Sequence, residues 1–123
     1  MRFARTAILA AIVLLILTAC ARQQAQPPAP APAAEGEIAV SENEWAIEPK
    51  EITAKAGKVT FVVKNEGAVE HNFVIEGVGE IDKIAPGETK KLEVTLQPGT
   101  YKVVCNLPGH QEAGMEATLT VSQ

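Results

Sequence analysis

Beyond residue 37 the hydrophobic positions come in short runs of period two. Val59, Phe61 and Val63 alternate with Thr60, Val62 and Lys64. Leu92, Val94 and Leu96 alternate with Glu93 and Thr95, and Ala117, Leu119 and Val121 close the chain in the same way. Such alternation marks strands with one buried face. Ile38–Ser41, Glu51–Ala54, His71–Ile75 and Tyr101–Cys105 read as further short strands; Trp45 and Ile47 follow the first before Pro49 breaks the run, and Ile81–Ile84 is a short element before Pro86-Gly87. Turn signals separate them at Ala56-Gly57, Asn65-Glu66-Gly67, Gly77 to Gly79, Pro86-Gly87 and Pro98-Gly99. No helical period of any length intervenes. The pattern predicts an all-β domain over residues 38–123, a Greek-key β-sandwich of seven or eight strands. Parity then orients side chains. Cys105 shares a face with Tyr101 and Val103, His71 with Phe73 and Ile75, and Met115 with Ala117 and Leu119, so all three are expected to turn inward at one end of the core.

Upstream the pattern changes. Arg2 and Arg5 precede an apolar run, Thr6 to Leu17, shorter than the roughly 20 residues a bilayer span needs. Residues 1–19 therefore read as a signal peptide. Its end, Leu17-Thr18-Ala19-Cys20, resembles the lipobox of bacterial lipoproteins, in which cleavage before the cysteine leaves that residue lipidated. The plainer alternative, an uncleaved anchor, gives Cys20 no role. Residues 20–37 form a Pro/Ala-rich linker with nothing to bury. Its extended prolines could hold the domain up to about 50 Å from the lipid, at roughly 3.1 Å per residue. The expected location is outside the cytoplasm, on a membrane-anchored lipoprotein, periplasmic or at the outer cell surface.

Charge narrows the partners. The 123 residues carry a formal charge of −4, and removing Arg2 and Arg5 with the signal peptide takes this to −6. Nucleic acid is excluded as a partner, because it calls for a basic face. Carboxylates such as Glu112 and Glu116 either steer a basic protein or simply keep the domain soluble. The size suits a monomer.

The chemistry concentrates in Tyr101-Lys-Val-Val-Cys105-Asn-Leu-Pro-Gly-His110-Gln-Glu-Ala-Gly-Met115: a strand ending in a cysteine, a tight loop, a histidine and a methionine. Each residue has an ordinary explanation when taken singly. A buried cysteine is commonly a small hydrophobe, a strand histidine is commonly structural, and methionine fills gaps. Together they are harder to dismiss. Both histidines of the chain, His71 and His110, belong to the set, as does the only methionine left after processing. Cys105 would then be the only thiol, and a free thiol is a liability in an oxidising compartment. Thiolate, two imidazoles and a thioether form the His₂Cys set with a weak axial Met that suits copper, one ion cycling between Cu(I) and Cu(II).

On these residues the chain resembles the cupredoxins, the type 1 blue-copper family, over the domain from Trp45 to Val121. Cys105-Asn-Leu-Pro-Gly-His110 is similar to the azurin ligand loop, and His110-Gln-Glu-Ala-Gly-Met115 has the plastocyanin spacing and ending. Gly99-Thr-Tyr101 leads into Cys105 in the usual way, and His71-Asn72 matches the upstream histidine and its neighbour. The resemblance implies His71, Cys105 and His110 as equatorial ligands and Met115 as the axial one. It implies that Asn72 ties its strand to the ligand loop and helps to orient the thiolate. The four-residue spacing on each side of His110 is a hybrid, and Glu70 stands where azurin has a glycine.

The expected function is a membrane-tethered one-electron carrier, not an enzyme. Redox partners would touch it transiently at the His110 edge, where Leu107, Pro108, Gly109, Ala113 and Val78 form an apolar rim. The alternative is an extracytoplasmic copper carrier or chaperone that delivers the metal to an oxidase. A copper nitrite reductase needs a further histidine-rich site, and no histidines remain for one. A metal-free adhesion-type sandwich leaves the whole constellation without a role.

Overall fold

The computed structural model describes residues 36–123; the expected signal peptide, Cys20 and nearly all of the expected linker fall outside these described residues. Nine strands follow in chain order: β1 Glu37–Asn43, β2 Ala46–Glu48, β3 Glu51–Lys55, β4 Gly57–Asn65, β5 His71–Ile75, β6 Gly79–Ile84, β7 Thr89–Leu96, β8 Gly99–Val104 and β9 Glu116–Ser122. They form the expected Greek-key sandwich, with one sheet ordered β2-β1-β4-β7 and the other β3-β9-β8-β5-β6. The strand count exceeds seven or eight because β2 and β3, only two residues apart, lie in different sheets. Pro49 cannot donate to a ladder, and the chain passes from one sheet to the other there.

Parallel pairing of β1 with β4 and of β3 with β9 ties the early strands to distant ones. Period-two alternation fills the space between the sheets. Val59, Phe61 and Val63 of β4 face Phe73 and Ile75 of β5, Val103 of β8 and Leu119 of β9 in one buried cluster. The Phe61 and Phe73 rings pack at 5.6 Å between centroids. Each such side chain contributes on the order of 1.5–3 kcal/mol by burial. β7 is an edge strand, so Leu92 and Val94 are only partly covered.

Two polar residues shape the end of the sandwich that carries the ligand candidates. Buried Asn65, the last residue of β4, donates from Nδ2 to the carbonyls of Val69 (2.8 Å) and Ile84 (2.9 Å) and accepts from the Gly67 amide. It thereby fixes the loop that delivers His71. Trp45, between β1 and β2, has φ of +69°, a left-handed conformation uncommon outside glycine.

Candidate metal centre

His71 opens β5, Cys105 follows β8, and Met115 immediately precedes β9. These strands lie in one sheet, where β8 pairs with both β5 and β9. Adjacent strands bring residues 34 and 44 positions apart to one end of the core. His71, Cys105 and Met115 are fully buried. His110 is half-buried and comes from the loop that spans the gap. That loop holds itself together. The His110 amide donates to the Leu107 carbonyl (3.0 Å), the Met115 amide to the His110 carbonyl (3.1 Å), and the Cys105 amide to the Met115 carbonyl (3.1 Å). Gly109 and Gly114 take φ of +84° and +110° within it, conformations a side chain would strain.

Three donors converge. His71 Nδ1 and His110 Nδ1 are 3.2 Å apart, and Cys105 Sγ lies 3.4 Å from His110 Nδ1 and 4.0 Å from His71 Nδ1. Two ring nitrogens that close can share only one proton between them, so at least one lone pair points at its neighbours. Burial pushes the His71 pKa down, with His110 adding to the effect. Burial pushes the Cys105 thiol up, while the amides of Asn72 and Leu107 act the other way by favouring thiolate. A His71 imidazole that burial keeps from charging and a thiol provided with amide donors fit a cation that supplies the missing positive charge. His71, Cys105 and His110 are arranged as a potential copper site, as in blue copper proteins.

Asn72 clamps the loop. Its amide N–H donates to Cys105 Sγ at 3.4 Å. Its side-chain Nδ2 donates to Asn106 Oδ1 at 2.6 Å, and its Oδ1 accepts from the Asn106 amide at 2.9 Å. Asn106 was not singled out by sequence reasoning, although its place directly after Cys105 was a signal for it.

Trp45 and Glu44 also escaped sequence reasoning. Trp45 reads as a strand residue by pattern, yet it stands 48 % exposed with its ring edge-on to His110, centroids 5.1 Å apart. Glu44 Oε1 accepts from the amides of Ala68 (2.6 Å) and Val69 (3.1 Å) and lies 3.9 Å from His71 Nε2. Those amides hold its carboxyl below the ordinary carboxylate range. Each residue had one available signal, a polar-aromatic pair interrupting two strand runs.

The expected rim is partly corrected. Pro108, Gly109 and Ala113 are exposed around His110, but Leu107 packs against the core. Val78 follows Ile75 at the end of β5 away from His71, so it does not belong to the rim. Glu112 is exposed, whereas Glu116 is engaged by Lys102 at 2.8 Å and Gln111 at 2.9 Å.

The Cupredoxin-like domain family matches residues 7–121. The chain belongs to that family. Among curated proteins it is similar to the iron uptake system component EfeO of Yersinia pseudotuberculosis, with 34% identity over 109 residues, 85% of this chain and 27% of that protein. It is also similar to EfeO of Escherichia coli K12, with 35% identity over 75 residues, 58% of this chain and 20% of that protein. The cupredoxin chain thus spans about a quarter of the length of these relatives. Among solved structures, auracyanin from Roseiflexus castenholzii superposes with a TM-score of 0.67 at 25% identity, covering 73% of this chain and 99% of its own. The blue copper protein auracyanin A from Chloroflexus aurantiacus gives 0.60 at 26% identity, covering 70% and 98%. An azurin from Methylomonas sp. strain J, 17% identical with a TM-score of 0.65 over 73% and 100%, shares the fold.

Proposed function

We propose that the domain is a membrane-tethered type 1 copper protein that carries one electron at a time between redox partners. The observation that supports this most is the convergence of His71 Nδ1, His110 Nδ1 and Cys105 Sγ at one buried end of the sandwich. In this reading those three residues, with Met115, would hold the copper. Copper, when bound, supplies reversible Cu(I)/Cu(II) chemistry. The chain's own contribution is rigidity. His71 and Cys105 are set by paired strands, Asn72 locks strand to loop, and the loop's hydrogen bonds fix His110 and Met115. Little ligand movement is then needed when the charge changes, which favours fast transfer.

Of the two histidines only His110 reaches solvent, so its edge is the way in and out for electrons. The contact patch is apolar: Pro108, Gly109 and Ala113, with Trp45 and Val69, the large hydrophobic side chains most exposed among the described residues. A patch of this kind suits a weak, short-lived encounter. The tether is Cys20, lipidated after removal of residues 1–19, with residues 20–37 as spacer, and it places the domain outside the cytoplasm.

The likeness to EfeO favours a second reading, a copper carrier or redox module that serves a metal-uptake system. The visible spectrum of the copper-loaded, oxidised protein tests the first. Intense thiolate-to-copper absorption that disappears in Cys105→Ser is expected, and a colourless protein refutes the type 1 assignment. Rapid loss of copper to an acceptor protein would favour the carrier.

A further inference from the structure

His71 has two ring nitrogens, and the metal-centre geometry uses only Nδ1. The other, Nε2, is fully buried and has no hydrogen-bond partner among the described residues. The group that faces it is the carboxylate of Glu44, with Oε1 at 3.9 Å. This is beyond hydrogen-bond length but close enough for the sign of the charge to matter in a partly desolvated site. Glu44 is not there by chance of a loose side chain. The amides of Ala68 and Val69 both donate to Oε1. Gly67 leaves the space it occupies: a Cβ on Gly67 would overlap Oε1 of Glu44 and stand 2.9 Å from its Cδ. Three features of the β4–β5 loop thus hold one carboxylate against the back of one histidine.

We propose that Glu44 is a positioning residue for His71, holding its imidazole in the tautomer that carries the proton on Nε2 and leaves Nδ1 bare for a metal. The preference is electrostatic. In the opposite tautomer Nδ1 would donate to His110 Nδ1, 3.2 Å away, and a bare Nε2 lone pair would face a carboxylate. With the proton on Nε2, a positive N–H dipole faces that carboxylate instead, and His110 supplies the proton between the two Nδ1 atoms. The ring nitrogen that bears the proton is set by what the other one meets. A carboxylate behind a ligand histidine also raises its basicity and its hold on the metal. The metal part of this inference rests on the copper reading above; the tautomer part does not.

The test separates the two. In metal-free, full-length protein, long-range ¹H–¹⁵N NMR correlations of the histidine rings report which nitrogen of His71 is protonated. The wild type is expected to show Nε2–H with bare Nδ1. Glu44→Ala removes the carboxylate. Gly67→Ala keeps it but pushes it aside, and the fold should bear this change because the atom met is the end of a flexible side chain. Both variants are expected to move His71 toward the Nδ1–H form, with the tautomer ratio changing several-fold. Both should also lose copper affinity by on the order of 10–100-fold, measured by competition with a chelator. A wild type that carries the proton on Nδ1, or two folded variants that both keep the wild-type tautomer, overturns the proposal. If the wild type takes up no copper, the copper reading fails and the NMR result still decides the role of Glu44.

Discussion

Glu42 occupies a position that the sandwich pattern reserves for an apolar residue. It follows Val40 on the inward face of β1, is fully buried, and neither carboxylate oxygen has a hydrogen-bond partner among the described residues. Burial pushes its pKa from 4.5 to about 8. An acid whose pKa is raised by folding destabilises the native state once it must ionise. The penalty is absent below about pH 4.5, where both states hold the proton. It grows as pH rises, because the unfolded chain has lost a proton that the native protein keeps, and it levels off above about pH 8. The slope approaches 1.36 kcal/mol per pH unit. Between pH 5.5 and 8 the wild type should therefore lose about 3 kcal/mol that Glu42→Gln does not lose. The assay is urea unfolding of metal-free wild type and variant at both pH values, taken as a difference of differences. The displaced pKa of His71 then cancels because both proteins contain it, and that of Cys105 cancels apart from the minor part that the Glu42 charge itself contributes. For a domain of this size the same effect appears as a relative shift in Tm on the order of 10–20 °C. Parallel pH dependences, differing by less than about 1 kcal/mol, would show instead that the Glu42 carboxylate is solvated or paired in the native protein.

Other perturbations probe the proposed function. Met115→Leu should keep copper bound and coloured and raise the reduction potential, because a weak axial donor is replaced by none; voltammetry showing a fall or no change counts against Met115 as axial ligand. Trp45→Asp should leave the spectrum nearly intact and slow electron exchange roughly tenfold or more, since a charge must be desolvated on docking at a cost on the order of 1–3 kcal/mol. Aspartate tolerates the left-handed backbone at this position, so the fold should survive, and stopped-flow rates equal to wild type at matched ionic strength would place the contact elsewhere. Leu107 is a poorer site for this experiment, because its side chain packs on the core. Cys20→Ser should release the protein from membranes with its copper site unchanged, and a variant that still carries lipid label removes the lipoprotein assignment.

Local pattern in the sequence determined the fold class and the inward direction of the ligand candidates. A strand's side-chain period is two whatever its neighbours, so the parity of His71 with Phe73 and Ile75, and of Cys105 with Val103, already pointed them at the core. The turn residues limited the strands to short lengths, and those strands close into a sandwich. The chemical types were legible as well, because a thiol, an imidazole and a thioether concentrated in one loop, with the chain's other histidine on an inward strand face, have few other uses. Tertiary structure alone decided which strands lie side by side, and hence that His71 meets His110 at 3.2 Å across 39 positions of chain. It alone brought Glu44 behind His71 and Trp45 against His110, from a turn whose residues carry no periodicity, and it alone sent Val78 to the far end of β5. Glu42 shows the limit of pattern reading: a carboxylate at an inward position looks like an exposed residue until the sheets close over it. Periodicity is a property of one strand, whereas pairing, register and the burial of a charge depend on long-range contacts that only the packed sandwich defines.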